Sequence, residues 1–263
     1  MDELRRSILK VIGVLGLSAG FPLLRTFASE NVVPNEPVST PSSKQLGLVL
    51  DIDKCLSSAV RDACISACRR EHNLPEITAN PERKYKWIWT EDFGNAFPDH
   101  AHEHFSETLK KQPVLVLCNH CSSPACTKVC PVSATWKRKE DGIVMMDMHR
   151  CIGCRYCMAA CPYRARSFNW LYPRPDIKGA DNPVYPTRTK GVVEKCTFCV
   201  ERIRLGREPA CVEASKKVPG GAGALTFGNL SDPDSEVSRI LSEKRTICRQ
   251  LGFGTRPNVY YIV

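Results

Sequence analysis

The segment Cys151–Pro162 restricts what this chain can fold into more than any other part of the sequence. It reads Cys-Ile-Gly-Cys-Arg-Tyr-Cys-Met-Ala-Ala-Cys-Pro, a C-x2-C-x2-C-x3-C-P spacing. This spacing is typical of a loop that wraps three thiolates around one [4Fe–4S] cluster, while its fourth thiolate binds another cluster. The rest of the chain is therefore expected to supply ligands for a second cluster. A zinc-stabilised scaffold is the remote alternative, but a zinc knuckle needs only two CxxC pairs and gains nothing from the trailing Cys-Pro.

A second run of the same kind lies upstream, and the two runs form an internal repeat. It begins at Cys118, 33 residues before Cys151, and has two residues inserted before its third Cys. The stretches 114–117 and 142–147 predict a strand ahead of each run, so residues 114–185 are predicted to be an inner two-cluster ferredoxin-like module. Because the fourth Cys of each run crosses over, the predicted ligand sets are Cys118, Cys121, Cys126 and Cys161 for site B, and Cys130, Cys151, Cys154 and Cys157 for site C.

Two incomplete runs flank this module. Their thiols are Cys55, Cys64 and Cys68 upstream, and Cys196, Cys199 and Cys211 downstream. A predicted strand over 47–53 precedes the upstream run, and a predicted short helix over 63–71 carries its last two thiols. Arg61 stands where the upstream run would have its second Cys, and Ser215 stands where the downstream run would have its fourth.

Three further segments carry weaker signals. Residues 84–89 alternate polar and apolar side chains, which predicts an edge strand. His100, His102 and His104 could form a metal site, although a solvated surface loop is the favoured interpretation. Cys248 lies outside any ligand spacing on a polar helix predicted within 231–249, with Ser235 as its N-cap, and is expected to be a structural or free thiol.

Residues 1–29 resemble a targeting segment more than a part of the folded body. Arg5 and Arg6 form a twin-arginine pattern, and an apolar stretch with three Gly residues follows. This pattern predicts export in the folded state, with the protein on the periplasmic or extracytoplasmic side of the membrane. The stretch is also close to the ~17 residues needed to span a bilayer, so an uncleaved anchor is an alternative. A second alternative is that this segment forms an ordinary amphipathic helix. Residues 30–46 are predicted to be a linker.

Charge and motif content exclude several classes of function. The formal net charge is +9, but three clusters of about −2 each would bring it to about +3, so much of the Lys and Arg excess balances cluster charge. No basic run with interleaved aromatic residues indicates nucleic-acid binding. The sequence also contains no P-loop, Rossmann fingerprint, Ser/His/Asp arrangement or haem-attachment CxxCH. We therefore expect an electron carrier with no substrate chemistry of its own.

From residue 47 onward the chain resembles the four-cluster ferredoxin subunits that partner NrfD-like membrane proteins, as in polysulfide and dimethyl sulfoxide reductases. Within that group it is most similar to the DsrO family, the iron–sulfur subunits of DsrMKJOP complexes. The twin-arginine N-terminus and the long gap after Cys55 carry this closer likeness. So do the stretches Glu71–Pro75, Lys84–Glu91, Ala224–Leu230 and Pro257–Tyr261.

The resemblance implies an α+β fold of tandem bacterial-ferredoxin-like modules with long irregular insertions. Residues 47–113 and 186–263 would form the outer module. Its ligands would also cross, so that Cys68, Cys196, Cys199 and Cys211 form site A. The other outer cluster would fall on Cys55, Arg61, Cys64 and Ser215. Arg offers iron no lone pair and Ser is a poor ligand beside thiolate, so we expect three [4Fe–4S] clusters and a lost fourth site.

Cys55 and Cys64 would then be left over, as free thiols, as a disulfide, or as ligands of a different metal with help from His72.

The implied function is electron transfer in dissimilatory sulfur metabolism. The implied partners are a quinone-interacting NrfD-like membrane subunit (DsrP-like) and a periplasmic multihaem cytochrome c (DsrJ-like), with DsrM- and DsrK-like subunits contacted indirectly. The alternative within the same class is the electron-transfer subunit of a molybdopterin reductase or a hydrogenase.

Overall fold

The computed structural model describes residues 44–76, 83–177, 182–185 and 188–263. They all belong to one compact unit, Pro41–Val263. The predicted targeting segment and nearly all of the predicted linker lie outside the described residues. Within the part of the chain that is described, no helix is long and apolar enough to cross a membrane.

The described residues form short strands and short helices, which confirms the predicted α+β class. The strands are β1 (Leu46–Asp51), β2 (Ile88–Asp92), β3 (Pro113–Leu117), β4 (Thr135–Lys137), β5 (Val144–Met146), β6 (Ser167–Phe168), β7 (Val193–Glu194), β8 (Leu225–Asn229), β9 (Thr246–Ile247) and β10 (Val259–Ile262). The α-helices are α1 (Ile52–Cys55), α2 (Ser58–Glu71), α3 (Phe93–Ala96), α4 (Glu107–Lys110), α5 (Ala125–Lys128), α6 (Tyr156–Ala159), α7 (Val200–Arg204), α8 (Ala210–Lys216) and α9 (Glu236–Glu243).

The main sheet has the strand order β8-β1-β10-β9, with β1 in its interior. Leu48 of β1 lies opposite Val259 of the parallel strand β10 and opposite Phe227 of the antiparallel strand β8. All six residues of β1 are buried, as expected for a strand that is covered on both faces. The strand ends at Asp51, slightly before the predicted end at residue 53, because the Asp51 carboxylate accepts a hydrogen bond from the Lys54 amide and starts α1.

Three two-stranded antiparallel sheets complete the strand pairing: β2 with β3, β4 with β5, and β6 with β7. The strand predicted over 84–89 begins only at Ile88. The amide of Lys86 donates to the Ser167 hydroxyl at 2.6 Å, and the Trp87 indole donates to Glu194 at 3.2 Å. Because these two residues are bonded to β6 and β7, the first part of the predicted strand lies outside the sheet.

The helix that carries Cys64 and Cys68 begins earlier than predicted, at Ser58, and packs along α8. The polar helix near the C-terminus has Ser235 as its N-cap, as predicted, and the Ser235 hydroxyl accepts from the Ser238 amide at 3.2 Å. The prediction that Cys248 lies on this helix is wrong, because α9 ends at Glu243. The residues after it form β9, which pairs with β10, and Cys248 directly follows that strand.

Candidate iron–sulfur sites

The thiols predicted for site B lie close to one another. Cys118 follows the last residue of β3, and Cys126 lies on α5. Burial raises the pKa of Cys121 to about 12, and the neighbouring thiols of Cys118, Cys126 and Cys161 contribute to this rise. Four buried or half-buried thiols gathered in this way form a strong donor set for a cationic iron centre.

In the predicted site C, the loop that carries the thiols makes two sharp backbone turns. Gly153 has φ of +70° and Arg155 has φ of 64°. A Cβ atom at Gly153 would lie 2.3 Å from the Gly191 carbonyl oxygen, so only Gly fits this close approach. The loop leads into α6, where burial raises the pKa of the Cys157 thiol and the nearby thiols of Cys126 and Cys151 add to the effect.

Backbone amides donate hydrogen bonds to two of the thiols of site C. The Cys130 thiol accepts a hydrogen bond from the Ala134 amide at 3.2 Å. The Cys151 thiol accepts one from the Val193 amide, just before the downstream run, at 3.5 Å. Such N–H···S contacts stabilise the charged form of sulfur and tune a bound cluster.

The four thiols of the predicted site A are all buried: Cys68, Cys196, Cys199 and Cys211. Burial raises the pKa of Cys68 well above its ordinary value, and the charges of the other three thiols raise it further. Phe198 and Cys199 have φ of 55° and 53°, which turns the loop around the thiols. The Phe198 amide donates to the Cys196 thiol and the Ala210 amide to the Cys199 thiol, both at 3.4 Å.

The thiols of site B lie near thiols of both other predicted sites. After burial, the largest influence on the pKa of Cys196 in site A is the charge of Cys118 in site B, which raises it. Cys126 of site B acts in the same direction on Cys157 of site C. Beside Cys121 and Cys199, the His120 imidazole stacks on the Phe198 ring, with centroids 3.7 Å apart. Site B therefore has neighbours in both other sets.

The residues left over from the outer module have other partners. The Arg61 guanidinium donates to the carbonyl oxygens of Cys55 and Leu56, at 2.7 and 2.5 Å. The Ser215 hydroxyl is fully buried and donates to the Val212 carbonyl of its own helix at 2.8 Å. Both side chains are thus bonded to backbone oxygens.

Cys55 and Cys64 are buried neighbours. Burial raises the pKa of each to about 12, and the Cys55 thiol adds to the shift of Cys64. All fifteen cysteines lie within the described residues and are thiols in this structure. His72 lies beside Cys68, with Nδ1 3.6 Å from the Cys68 sulfur, and its ring packs at a tilt against Trp87, with centroids 4.5 Å apart. The structure thus places His72 next to site A.

Among the described residues, no three His, Cys, Asp or Glu side chains, those of sites A, B and C included, converge closely enough to hold one single metal ion. In the segment with three histidines, the side chains of His104 and Glu103 are 83% and 86% exposed, as expected for a solvated loop.

Two buried cations lie among these sites. Arg166 is 4% exposed and Lys195 is 1% exposed, yet among the described residues no carboxylate lies within ion-pair distance of either. By contrast, the buried Arg188 is paired with Glu194, at 2.8 Å. A buried cation without an anion is costly, as is a group of buried thiolates without cations. The thiol-rich donor sets and the unpaired cations therefore fit a bound group of net negative charge, as a [4Fe–4S] cluster held by four thiolates is.

Arg166, Lys195 and His120 were not identified from the sequence. Arg166 follows Cys161 by five residues, and Lys195 directly precedes Cys196. Their positions close to ligand runs are the only sequence signal, because a charged residue near a Cys motif is usually solvated. Burial without a carboxylate partner distinguishes Arg166 and Lys195 from the buried but paired Arg188 and Arg202.

Comparisons with known proteins agree with this chemistry. Residues 113–173 match the family model of a 4Fe-4S dicluster domain. The chain is 38% identical to the Hdr-like menaquinol oxidoreductase iron-sulfur subunit 1 of Archaeoglobus fulgidus, over 98% of this chain and 97% of the relative. It is 36% identical to the iron-sulfur cluster-binding subunit of the menaquinone reductase of Nitratidesulfovibrio vulgaris, over 82% and 88% of the two chains. It is 31% identical to a tetrathionate reductase subunit of Salmonella typhimurium, over 100% and 89%.

Proposed function

Because this chain belongs to the family of iron–sulfur electron-transfer subunits of menaquinol oxidoreductases and related reductases, we propose that it relays electrons within a membrane-bound complex of dissimilatory sulfur metabolism. It would do so as DsrO does, between a quinone-interacting NrfD-like subunit (DsrP-like) and a multihaem cytochrome c (DsrJ-like). The observation that carries the relay is the proximity of the thiols of site B to those of sites A and C. Two relatives are named for menaquinol or menaquinone and one for tetrathionate, which supports a quinone partner and a sulfur substrate.

We propose three [4Fe–4S] clusters, held by the twelve cysteines of sites A, B and C. Arg61 and Ser215 bond backbone oxygens, which supports the loss of the fourth cluster. Iron and acid-labile sulfide analysis of the purified full chain tests this count. About twelve Fe per chain is expected. About sixteen Fe would refute the loss, and a colourless protein with zinc would refute the iron–sulfur interpretation altogether.

When bound, such a cluster supplies a one-electron redox step at a potential that its surroundings set. The residues of this chain fix the thiols by loops with left-handed turns, donate amide hydrogen bonds to sulfur, and keep water away from site A, where all four thiols are buried. With no nucleophile–base arrangement in the sequence, the chain would transfer electrons without reacting with a substrate.

We also propose that the protein works on the extracytoplasmic side of the membrane after export in the folded state. The twin arginines at Arg5 and Arg6 support this. An R5K/R6K variant of the full chain should retain its clusters and accumulate in the cytoplasm. Equal amounts of variant and wild type outside the cytoplasm would contradict the proposal. Within the body, residues 47–113 with 186–263 would form the outer module and 114–185 the inner one.

The partners are tested by affinity purification from solubilised membranes, with identification of the proteins that co-purify. A NrfD-like protein together with a multihaem cytochrome c is expected. The identity to a tetrathionate reductase subunit favours one second candidate, the electron-transfer subunit of a molybdopterin reductase. Co-purification of a large catalytic subunit without a cytochrome would select that candidate.

A further inference from the structure

Arg166 is held rigidly in the interior between the two inner sites. Its Nη2 donates to the Thr135 hydroxyl at 2.9 Å, and its Nη1 lies 3.7 Å from the Met146 sulfur. Thr135 and Met146 face each other across the β4–β5 pair. The small sheet therefore fixes the position of the guanidinium. An exposed arginine would not be held in one position in this way.

The charge of Arg166 is balanced by thiols and by no acid. Arg188 and Arg202, the other buried arginines near ligand cysteines, form ion pairs with Glu194 and Glu71. For Arg166, no such carboxylate is found in the described part of the chain. The thiols that it faces belong to both inner sites: Cys118, Cys126 and Cys161 of site B, and Cys157 of site C.

Arg166 lies near ligand cysteines of both inner sites. Thr135, which accepts from Arg166, directly follows Ala134, whose amide donates to the Cys130 thiol of site C at 3.2 Å. Arg166 itself follows Cys161 of site B by five residues. One buried cation thus lies close to ligands of two different sites.

We propose that Arg166 is a shared positioning residue that raises the reduction potentials of the clusters at sites B and C together. A cluster gains one negative charge when it is reduced, and a fixed buried cation stabilises that form more than the oxidised form. Since the same guanidinium faces both sites, its charge moves both potentials in one direction. This inference rests on the assignment of sites B and C in the proposed function.

The test is a redox titration of the purified full chain followed by electron paramagnetic resonance, for wild type, R166Q, R166K and R249Q. In R166Q, two clusters should shift to more negative potentials, each by at least a tenfold change in the one-electron equilibrium, which is about 59 mV. R166K, which keeps the charge, should shift less than R166Q. Arg249 is equally buried but packs on the Tyr163 ring beside Cys121 of site B, so R249Q should leave the potential of site C unchanged.

Each other outcome overturns the inference. Unchanged potentials in R166Q with full iron content would show that the charge does not tune the clusters. A shift confined to one cluster would show that the residue is not shared. If R166Q loses iron, the inference requires that R166K retains it. Loss of iron from both variants, while R249Q keeps its iron, would assign Arg166 a purely structural role. A wild type without two inner clusters would instead refute the proposed function, before any variant is compared.

Discussion

The buried pair Arg188–Glu194 connects the two segments that carry site A, so its removal should affect that site first. Both side chains are 1% exposed, and Nε of Arg188 lies 2.8 Å from each carboxylate oxygen. The Arg188 guanidinium also donates to the carbonyl oxygens of His72 and Asn73, at the end of the helix that carries Cys68. Glu194 lies two residues before Cys196.

We expect E194Q to destabilise the protein by about 3–5 kcal/mol, because it leaves the Arg188 charge buried without a partner. At 1.4 kcal/mol per factor of ten, this is at most about a 100- to 4,000-fold faster loss of the clusters in denaturant. Cluster loss makes unfolding irreversible, so the quantity to measure is the rate at which the visible absorption disappears in guanidinium chloride. Because site A is expected to be lost first, about a third of the visible absorption should disappear in a first phase.

Two variants control for this interpretation. In R188M/E194M both charges are removed, so the double variant should lose its clusters more slowly than E194Q. E208Q breaks the exposed pair with Lys216, in which the Lys216 and Glu208 side chains are 46% and 41% exposed, and should cost about 0–1 kcal/mol. The reasoning is refuted if E194Q behaves like E208Q, or if the double variant is the least stable of the three.

Three further outcomes are expected. The R61C/S215C variant restores the missing ligands beside Cys55 and Cys64, so the iron content should rise from about twelve to about sixteen Fe per chain. An unchanged iron content in folded protein would contradict the loss of a site at this position. C196S should lose about four Fe, with the inner clusters still detected by electron paramagnetic resonance, whereas C248S should lose none. In G47A the new Cβ would lie 2.7 Å from the Asn258 carbonyl oxygen and 2.4 Å from Leu230 Cδ1, so thermal unfolding should occur at a lower temperature than in wild type.

The strands and helices next to the ligand cysteines could be predicted well from the sequence, because Cys spacing and apolar strands are local signals. The strand expected over 114–117 is β3, and that expected over 142–147 contains β5. The helix expected over 63–71 lies within α2. In each case the ligand run and its neighbouring element are set by residues within one or two turns of each other.

Contacts between residues that are far apart in the sequence could not be predicted in the same way. Nothing in residues 257–261 indicates that they pair in parallel with β1, since β10 is too short for a periodicity signal. Trp87 fits an edge strand by its alternation, but the buried Glu194, more than 100 residues away, bonds its indole and takes it out of the sheet. The burial of Arg166 is likewise decided by the distant β4–β5 pair.

The position of β1 within the main sheet has a consequence for how the protein is made. Both of its neighbours, β8 and β10, come from the last part of the chain, and Val259 is synthesised 208 residues after Asp51. At ~5–20 residues per second, a largely apolar strand would wait on the ribosome for about 10–40 s with both edges unpaired. Unpaired strand edges invite association with other chains. Nascent chains of this protein should therefore depend on a holding chaperone until the final strand emerges, even if the inner sites already contain their metal.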